Sequence, residues 1–397
     1  MLGRACGAAM ALGLVGALLG STPQALLGST PQAVGRRTAP RGGDMLSLRA
    51  LNDDDLFSSL SRRQADLAAA LNTRWAAGGG QAKVAIHLDQ DWVRRTAMSY
   101  PWVVAGTAQG DLVLADMTDL KAGGGARAAR AHLRVEAGLG ERTLMGEYDH
   151  GAISAVDCCV RADGPLVAAG GRDGRATVHA FKHTAALELV AEFQHGALVS
   201  VVRLVDDGRG LVTGSLDGSV REWSLDGRCL RTIECGQPVL AVDRGPDGAW
   251  AIGLSNGTVA IAGPGDEAIS RSWAVGDEGA AVRAVCWADG YVVTGSVSGD
   301  ILAWKDGLPE ELVACDGPVV ALAYANGRIA AGAHDGMVRV FQDRREAVPE
   351  QVETKPFRPL LAVGGYNVWM GAVAIDEERL IADGTNDVLI IHDFSAE

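Results

Sequence analysis

Three residues near the middle of the chain are of types that could do chemistry together. His195, Ser215 and Asp217 could supply the base, nucleophile and carboxylate of an acyl-transfer triad. In a triad the imidazole takes the hydroxyl proton and the carboxylate orients the imidazole. A nucleophile of that kind needs exposure and an oxyanion hole, and no neighbouring segment supplies them. His179 and His183, in "HAFKH", have the i,i+4 spacing of a helical metal site. They fall where an outer pair of strands is expected, so a packing or surface role explains them better. The run Asp53–Asp55 follows Asn52, an N-cap type, at the start of a helix, where negative charge suits the macrodipole rather than a cation. "GGG" at Gly78 and at Gly123 fits no phosphate loop and reads as linker. Cys158, Cys159, Cys229, Cys235, Cys286 and Cys315 show no CxxC spacing and read as small buried hydrophobes.

What holds these residues is a repeated element. "VTGSLDGSVREW" (Val212 to Trp223) reads as two short strands about the turn Asp217-Gly218. Relatives begin at Val103, Leu166, Trp250, Val292, Ile329 and Leu380. Their anchor residues, four before the turn glycine, are Gly106, Gly170, Gly214, Gly253, Gly295, Gly332 and, degenerately, Asp383. Successive anchors are 64, 44, 39, 42, 37 and 51 residues apart. A period near 40 with four strands per unit predicts a seven-bladed β-propeller of four-stranded antiparallel blades, an all-β fold.

A second element precedes six of the hairpins: "ISAV" at Ile153, "VSVV" at Val199, "VLAV" at Val239, "VRAV" at Val282, "VVAL" at Val319 and "MGAV" at Met370. Its third position is Ala155, Val201, Ala241, Ala284, Ala321 or Ala372. Small residues there suit innermost strands converging on one axis. The alternating "KVAIHL" (Lys83 to Leu88) is expected to pair with Leu389 to His392 and complete the last blade.

These residues resemble the WD-repeat β-propellers. His195 is similar to the histidine that opens a repeat, with Gln194 in place of the usual glycine. Ser215, Asp217 and Trp223 resemble the serine, turn aspartate and tryptophan of the family's structural network, followed by Ser224 instead of aspartate. Elsewhere Trp304, His150, Asp173 and Asp335 keep single features, and Cys235 stands where a histidine would be. The resemblance covers roughly residues 83–394. It implies that His195, Ser215, Asp217 and Trp223 form a buried hydrogen-bonded chain that rigidifies a blade.

Residues 1–43 read as a cleaved targeting leader and 44–82 as a helix and linker, with the propeller over 83–397. "AAMALGLVGALLG" has the form of a signal-peptide apolar region. A tandem "LLGSTPQA" and an arginine-rich, acid-free stretch follow, resembling an organellar transit peptide. The pair suits two-step import into a complex plastid; secretion is the alternative, and a mitochondrial or simple plastid presequence the third reading. Leu56, Leu60, Leu67, Leu71 and Trp75 form one stripe of the predicted helix, for packing on the propeller or for a partner. The chain has 397 residues and a net charge of −13, and its leader carries four arginines, so the remainder stands at −17. That charge argues against nucleic acid as a partner. No apolar run is long enough to span a membrane.

The resulting expectation is a non-catalytic scaffold, a single propeller within a complex, with no cofactor or metal and a protein or peptide as its partner. Turn residues Arg172, Leu216, Val297 and His334 are the expected contacts on the propeller face. The basic insert bearing Lys121, Arg127, Arg130 and Arg134 is a second candidate contact, for an acidic partner. The rival reading is a propeller hydrolase or lactonase with its site in the central channel.

Overall fold

The computed structural model describes residues 53–88, 91–118, 133–134, 152–182, 186–276, 279–343, 356–366, 370–385 and 388–395, some of them, including 53–60 and 133–134, as backbone only. By its contacts the chain divides into Met1–Ser58 and Ser59–Glu397. Of the first unit only residues 53–58, the opening of helix α1 (Asp53–Ala76), are described. The leader and Lys121, Arg127 and Arg130 of the basic insert lie outside the described residues.

The second unit opens with the end of α1 and strand β1 (Gln81–His87). Blade 1 is β2 (Val93–Ser99), β3 (Trp102–Thr107), β4 (Asp111–Asp116) and β5 (Leu133–Arg134). Blade 2 is β6 (Ile153–Arg161), β7 (Gly164–Gly171), β8 (Arg175–Lys182) and β9 (Ala186–Gln194). Blade 3 follows as β10 (Val199–Val205), β11 (Gly210–Ser215), β12 (Ser219–Ser224) and β13 (Cys229–Glu234). Blade 4 is β14 (Val239–Arg244), β15 (Trp250–Leu254), β16 (Thr258–Ala262) and β17 (Arg271–Ala274). In blade 5 come β18 (Val282–Ala288), β19 (Tyr291–Ser296), β20 (Asp300–Lys305) and β21 (Leu308–Ala314). Blade 6 is β22 (Val319–Ala325), β23 (Arg328–Ala333), β24 (Met337–Asp343) and β25 (Phe357–Gly364). Blade 7 joins β26 (Val373–Ile375), β27 (Arg379–Thr385) and β28 (Val388–Asp393) to β1. Every pairing within these sheets is antiparallel. Each innermost strand lies against that of the next blade, and β26 meets β2, so the seven blades close into a ring.

The two repeated sequence elements fit into each other. A Cβ on anchor Gly214 would sit 2.8 Å from Val239 Cγ1, and one on Gly295 would sit 2.4 Å from Val319 Cγ1. The anchor is therefore glycine because the first, branched residue of the next blade's inner strand occupies the space. Gly106, Gly170 and Gly253 meet Ile153, Val199 and Val282 in the same way, and Gly332 meets the unbranched Met370 together with Val373. The turn glycines Gly110, Gly174, Gly218, Gly257, Gly299 and Gly336 all have φ between 77° and 99°, a region that favours glycine.

Closure between β1 and β28 is as expected: Lys83 pairs with Ile391, and Ile86, after a bulge, with Leu389. The edge that β28 would otherwise leave open is thus paired. Among its described side chains, helix α1 packs through its end. Leu71 and Trp75 are buried, but Leu67 is 59% exposed, so the expected stripe does not hold there. Trp75 stacks on Phe394 with centroids 3.7 Å apart, donates its indole N–H to the Glu377 carbonyl (3.0 Å), and lies under the Arg328 guanidinium (4.9 Å). Gly78 ends the helix instead of serving as plain linker, at φ 64° with its N–H donated to the Trp75 carbonyl (3.1 Å). Among the described residues no helix is long and apolar enough to cross a membrane.

Candidate functional site

Blade 3 carries the polar chain, with one member different from expectation. His195 Nδ1 lies 3.0 Å from Asp217 Oδ2, and its Nε2 lies 2.6 Å from Thr213 Oγ1. The Trp223 indole donates to the same Thr213 oxygen at 2.8 Å. The hydroxyl between imidazole and indole is therefore Thr213 and not Ser215. Ser215 donates instead to the Ala197 carbonyl (3.0 Å) and accepts from the Asp217 N–H (3.1 Å), closing the turn. The ionised carboxylate requires a proton on His195 Nδ1, which leaves Nε2 to accept from Thr213. Burial alone would raise the Asp217 pKa. Hydrogen bonds from the Ser219 hydroxyl, the Gly196 and Ser219 N–H groups and His195 outweigh it and hold the carboxylate well below its usual range. Burial pushes the His195 pKa down against the pull of Asp217. Ser215 is wholly buried and makes no contact with His195, so the triad geometry is not formed.

The other motif residues also pack. His179 is buried in β8, 3.0 Å from the Thr177 hydroxyl, and burial pushes its pKa down to about 4. His183 lies outside the described residues. Cys158, Cys286 and Cys315 are buried, while Cys229 is exposed, contrary to the expectation for it. No cluster of three metal-ligating side chains occurs among the described residues.

The turn residues gather at the central channel, a cavity of about 490 Å³. Arg172, Leu216 and Val297 line it, the two apolar ones 37% and 40% exposed. His334 sits beside this group with its Nε2 3.0 Å from the Met370 carbonyl. Burial lowers its pKa, and Arg283 and Arg95 add to that effect. Arg134 is apart from the channel, its backbone paired with Asp111 on the outer strand of blade 1.

Sequence reasoning missed the channel's arginines. Arg94, Arg95, Arg172, Arg203 and Arg283 line the cavity, and among the described residues no acidic one does. Arg95 pairs with Gly106 in the register where Ala155, Val201, Ala241, Ala284 and Ala321 pair with their anchor glycines. One blade thus departs from the small-residue rule at the axis. Aligning "VRRTA" of β2 with the six other inner strands would have exposed it. Arg95 donates from Nε to the Ser154 carbonyl and from Nη1 to the Arg94 carbonyl, both at 2.7 Å. Arg203 sits between two buried carboxylates of the neighbouring blades: Asp243 is 3.8 Å away, and Asp157 also attracts it. Burial raises both carboxyl pKa values, and Arg203 opposes the rise. Those two aspartates staple blades together: Asp157 accepts the Leu204 N–H and Asp243 the Trp287 N–H, each at 2.7 Å.

Among known families, the model described as WD domain, G-beta repeat matches residues 187–224, the outer strand of blade 2 and the first three strands of blade 3. No curated protein matches the chain.

Proposed function

For a chain that belongs to the WD-repeat β-propellers, we propose a role as a non-catalytic protein-interaction scaffold that receives its partner at the mouth of the central channel. The observation that carries this reading is the convergence of Arg172, Leu216 and Val297, from turns of blades 2, 3 and 5, on one cavity. A rigid ring holding exposed turn side chains around an opening offers a surface to a peptide or a protein loop. The buried hydroxyl of Ser215 and the packed His179 account for the residues that suggested an enzyme.

We further propose that the scaffold works in an organelle, a plastid, after removal of a leader ending between Ala25 and Asp44. The acid-free, arginine-bearing N-terminal sequence supports this. N-terminal sequencing of the native protein tests it, and intact Met1 in the folded pool would refute it. For the partner site, wild-type protein and a Leu216→Glu/Val297→Glu variant serve as baits in native extract. Partners held by the wild type and lost by the variant support the channel mouth. Identical partners on both baits would place the contact elsewhere. Stoichiometric metal in the purified protein would favour the hydrolase or lactonase reading.

A further inference from the structure

The channel lining has the opposite charge to the rest of the protein. A chain of net charge −13 places five arginines and, among the described residues, no carboxylate on the wall of a 490 Å³ cavity. Arg203 is balanced by Asp157 and Asp243. The other four form a second group: Arg95 feels the repulsion of Arg283, Arg94 and Arg172, with Asp383 the attracting charge. Burial pushes the Asp383 pKa up to about 7, so at neutral pH about half of that attraction is in place. The Arg94 Nε is buried with no hydrogen-bond partner. Arg95 stands where five other blades carry alanine or valine against their anchor glycine, and two of its N–H groups are held by the Ser154 and Arg94 carbonyls. Guanidinium groups crowded in a partly desolvated channel are suited to bidentate capture of an oxyanion.

We propose that the channel mouth is an oxyanion socket, formed by Arg94, Arg95, Arg172 and Arg283, for a carboxylate or phosphate group carried on an acidic peptide segment. The socket deepens the scaffold reading, and the peptide as carrier of the anion rests on it. A cavity of this size admits side chains of an extended segment, not a folded domain. Exposed Leu216 and Val297 on the same wall give the residues flanking the anion an apolar contact.

Fluorescently labelled hexaglutamate, with hexaglutamine as control, tests the socket by anisotropy at low and high salt. Arg172 and Arg283 are exposed, so Arg172→Ser/Arg283→Ser is the informative variant, with its melting temperature measured beside that of the wild type to confirm folding. Hexaglutamate should bind, hexaglutamine should not, and the variant should lose at least tenfold in affinity, about the loss that high salt produces. Equal binding of the two peptides, or unchanged binding by the variant, overturns the socket. Inorganic phosphate should compete with the peptide. Phosphate binding without hexaglutamate binding, or displacement of the peptide by oligothymidylate at lower concentration, overturns the peptide as carrier. A native partner kept by the arginine variant but lost by Leu216→Glu/Val297→Glu sinks the socket and leaves the scaffold reading standing.

Discussion

In blade 3 an aspartate, a histidine, a threonine and a tryptophan form one line of hydrogen bonds, all within 29 residues of sequence. In blade 7 the position of Trp223 is held by His392, which meets the Tyr366 hydroxyl at 2.6 Å, and that of Thr213 by Ala382. Among the described residues no comparable line is drawn there. Blade 7 is secured from a distance instead, by strand β1 on its outer edge and by Trp75 stacked on Phe394. Asp383 replaces the anchor glycine and accepts the N–H groups of Gly371 (2.8 Å) and Ala372 (2.9 Å). The blade with the strongest local motif is thus built from consecutive strands, while blade 7 borrows a remote one. Motif strength marks where a repeat is self-sufficient, not where the ring is most vulnerable.

That contrast can be broken most directly at β1. Deleting residues 81–88 removes Ile86 and Leu88 from the core and uncovers the edge of β28, so the melting temperature should fall by roughly 10 °C or more. An unchanged thermal transition would mean that blade 7 does not need its remote strand. Next in size is Trp75→Ala, expected to cost about 3–5 kcal/mol in denaturant unfolding. The Trp75–Phe394 pair should also show a coupling of about 0.5–1.5 kcal/mol in a double-mutant cycle.

The two aspartates should give pH dependences of opposite sign. Asp217 has a depressed pKa, so its contribution is complete above the ordinary carboxylate range and is lost on acidification. Asp383 has a raised one: the unfolded carboxyl ionises near 3.8, while the folded one keeps its proton up to about 7. Its contribution is therefore complete below pH 3.8 and declines as the pH rises through about 7. Asp383→Asn should remove a decline on the order of 4 kcal/mol across that window, measured by urea unfolding at several pH values. A wild-type profile that the variant leaves unaltered would remove Asp383 from this role.

The smallest effect decides which hydroxyl matters in blade 3. A cycle combining Thr213→Val with Trp223→Phe should give a coupling of at least about 0.5 kcal/mol, while Ser215→Ala with Trp223→Phe should be additive. Additivity in both would dissolve the chain.

Register explains why the sequence pointed to Ser215. Residues 211, 213 and 215 share one face of β11, so type and spacing alone allow either hydroxyl. Counting pairs outward from the turn sets Leu211 opposite Trp223, which makes Thr213 the diagonal neighbour of the indole and leaves Ser215 beyond its reach. Thr294 and Trp304 repeat the arrangement in blade 5 at 2.9 Å, whereas blades without the tryptophan carry Ala105, Ala169, Ile252, Ala331 or Ala382 at that position. The blades, their turns and the closing strand were legible because period-two patterning and turn glycines are local signals. Arg95 was not, because its meaning appears only when seven strands are compared around an axis. The Leu67 exposure was not legible either, since a helical stripe does not state how much of its length meets a partner.

Closure through β1 also sets an order in time. Lys83 finds Asp393 across 310 residues of sequence, so the ring cannot be completed until nearly all of the described chain has been made. Contacts of such separation make folding slow. Until then β1 waits without its partner strand, and a growing chain stays an open arc with two unpaired edges. During that interval the molecule is most exposed to aggregation and most dependent on whatever shields it.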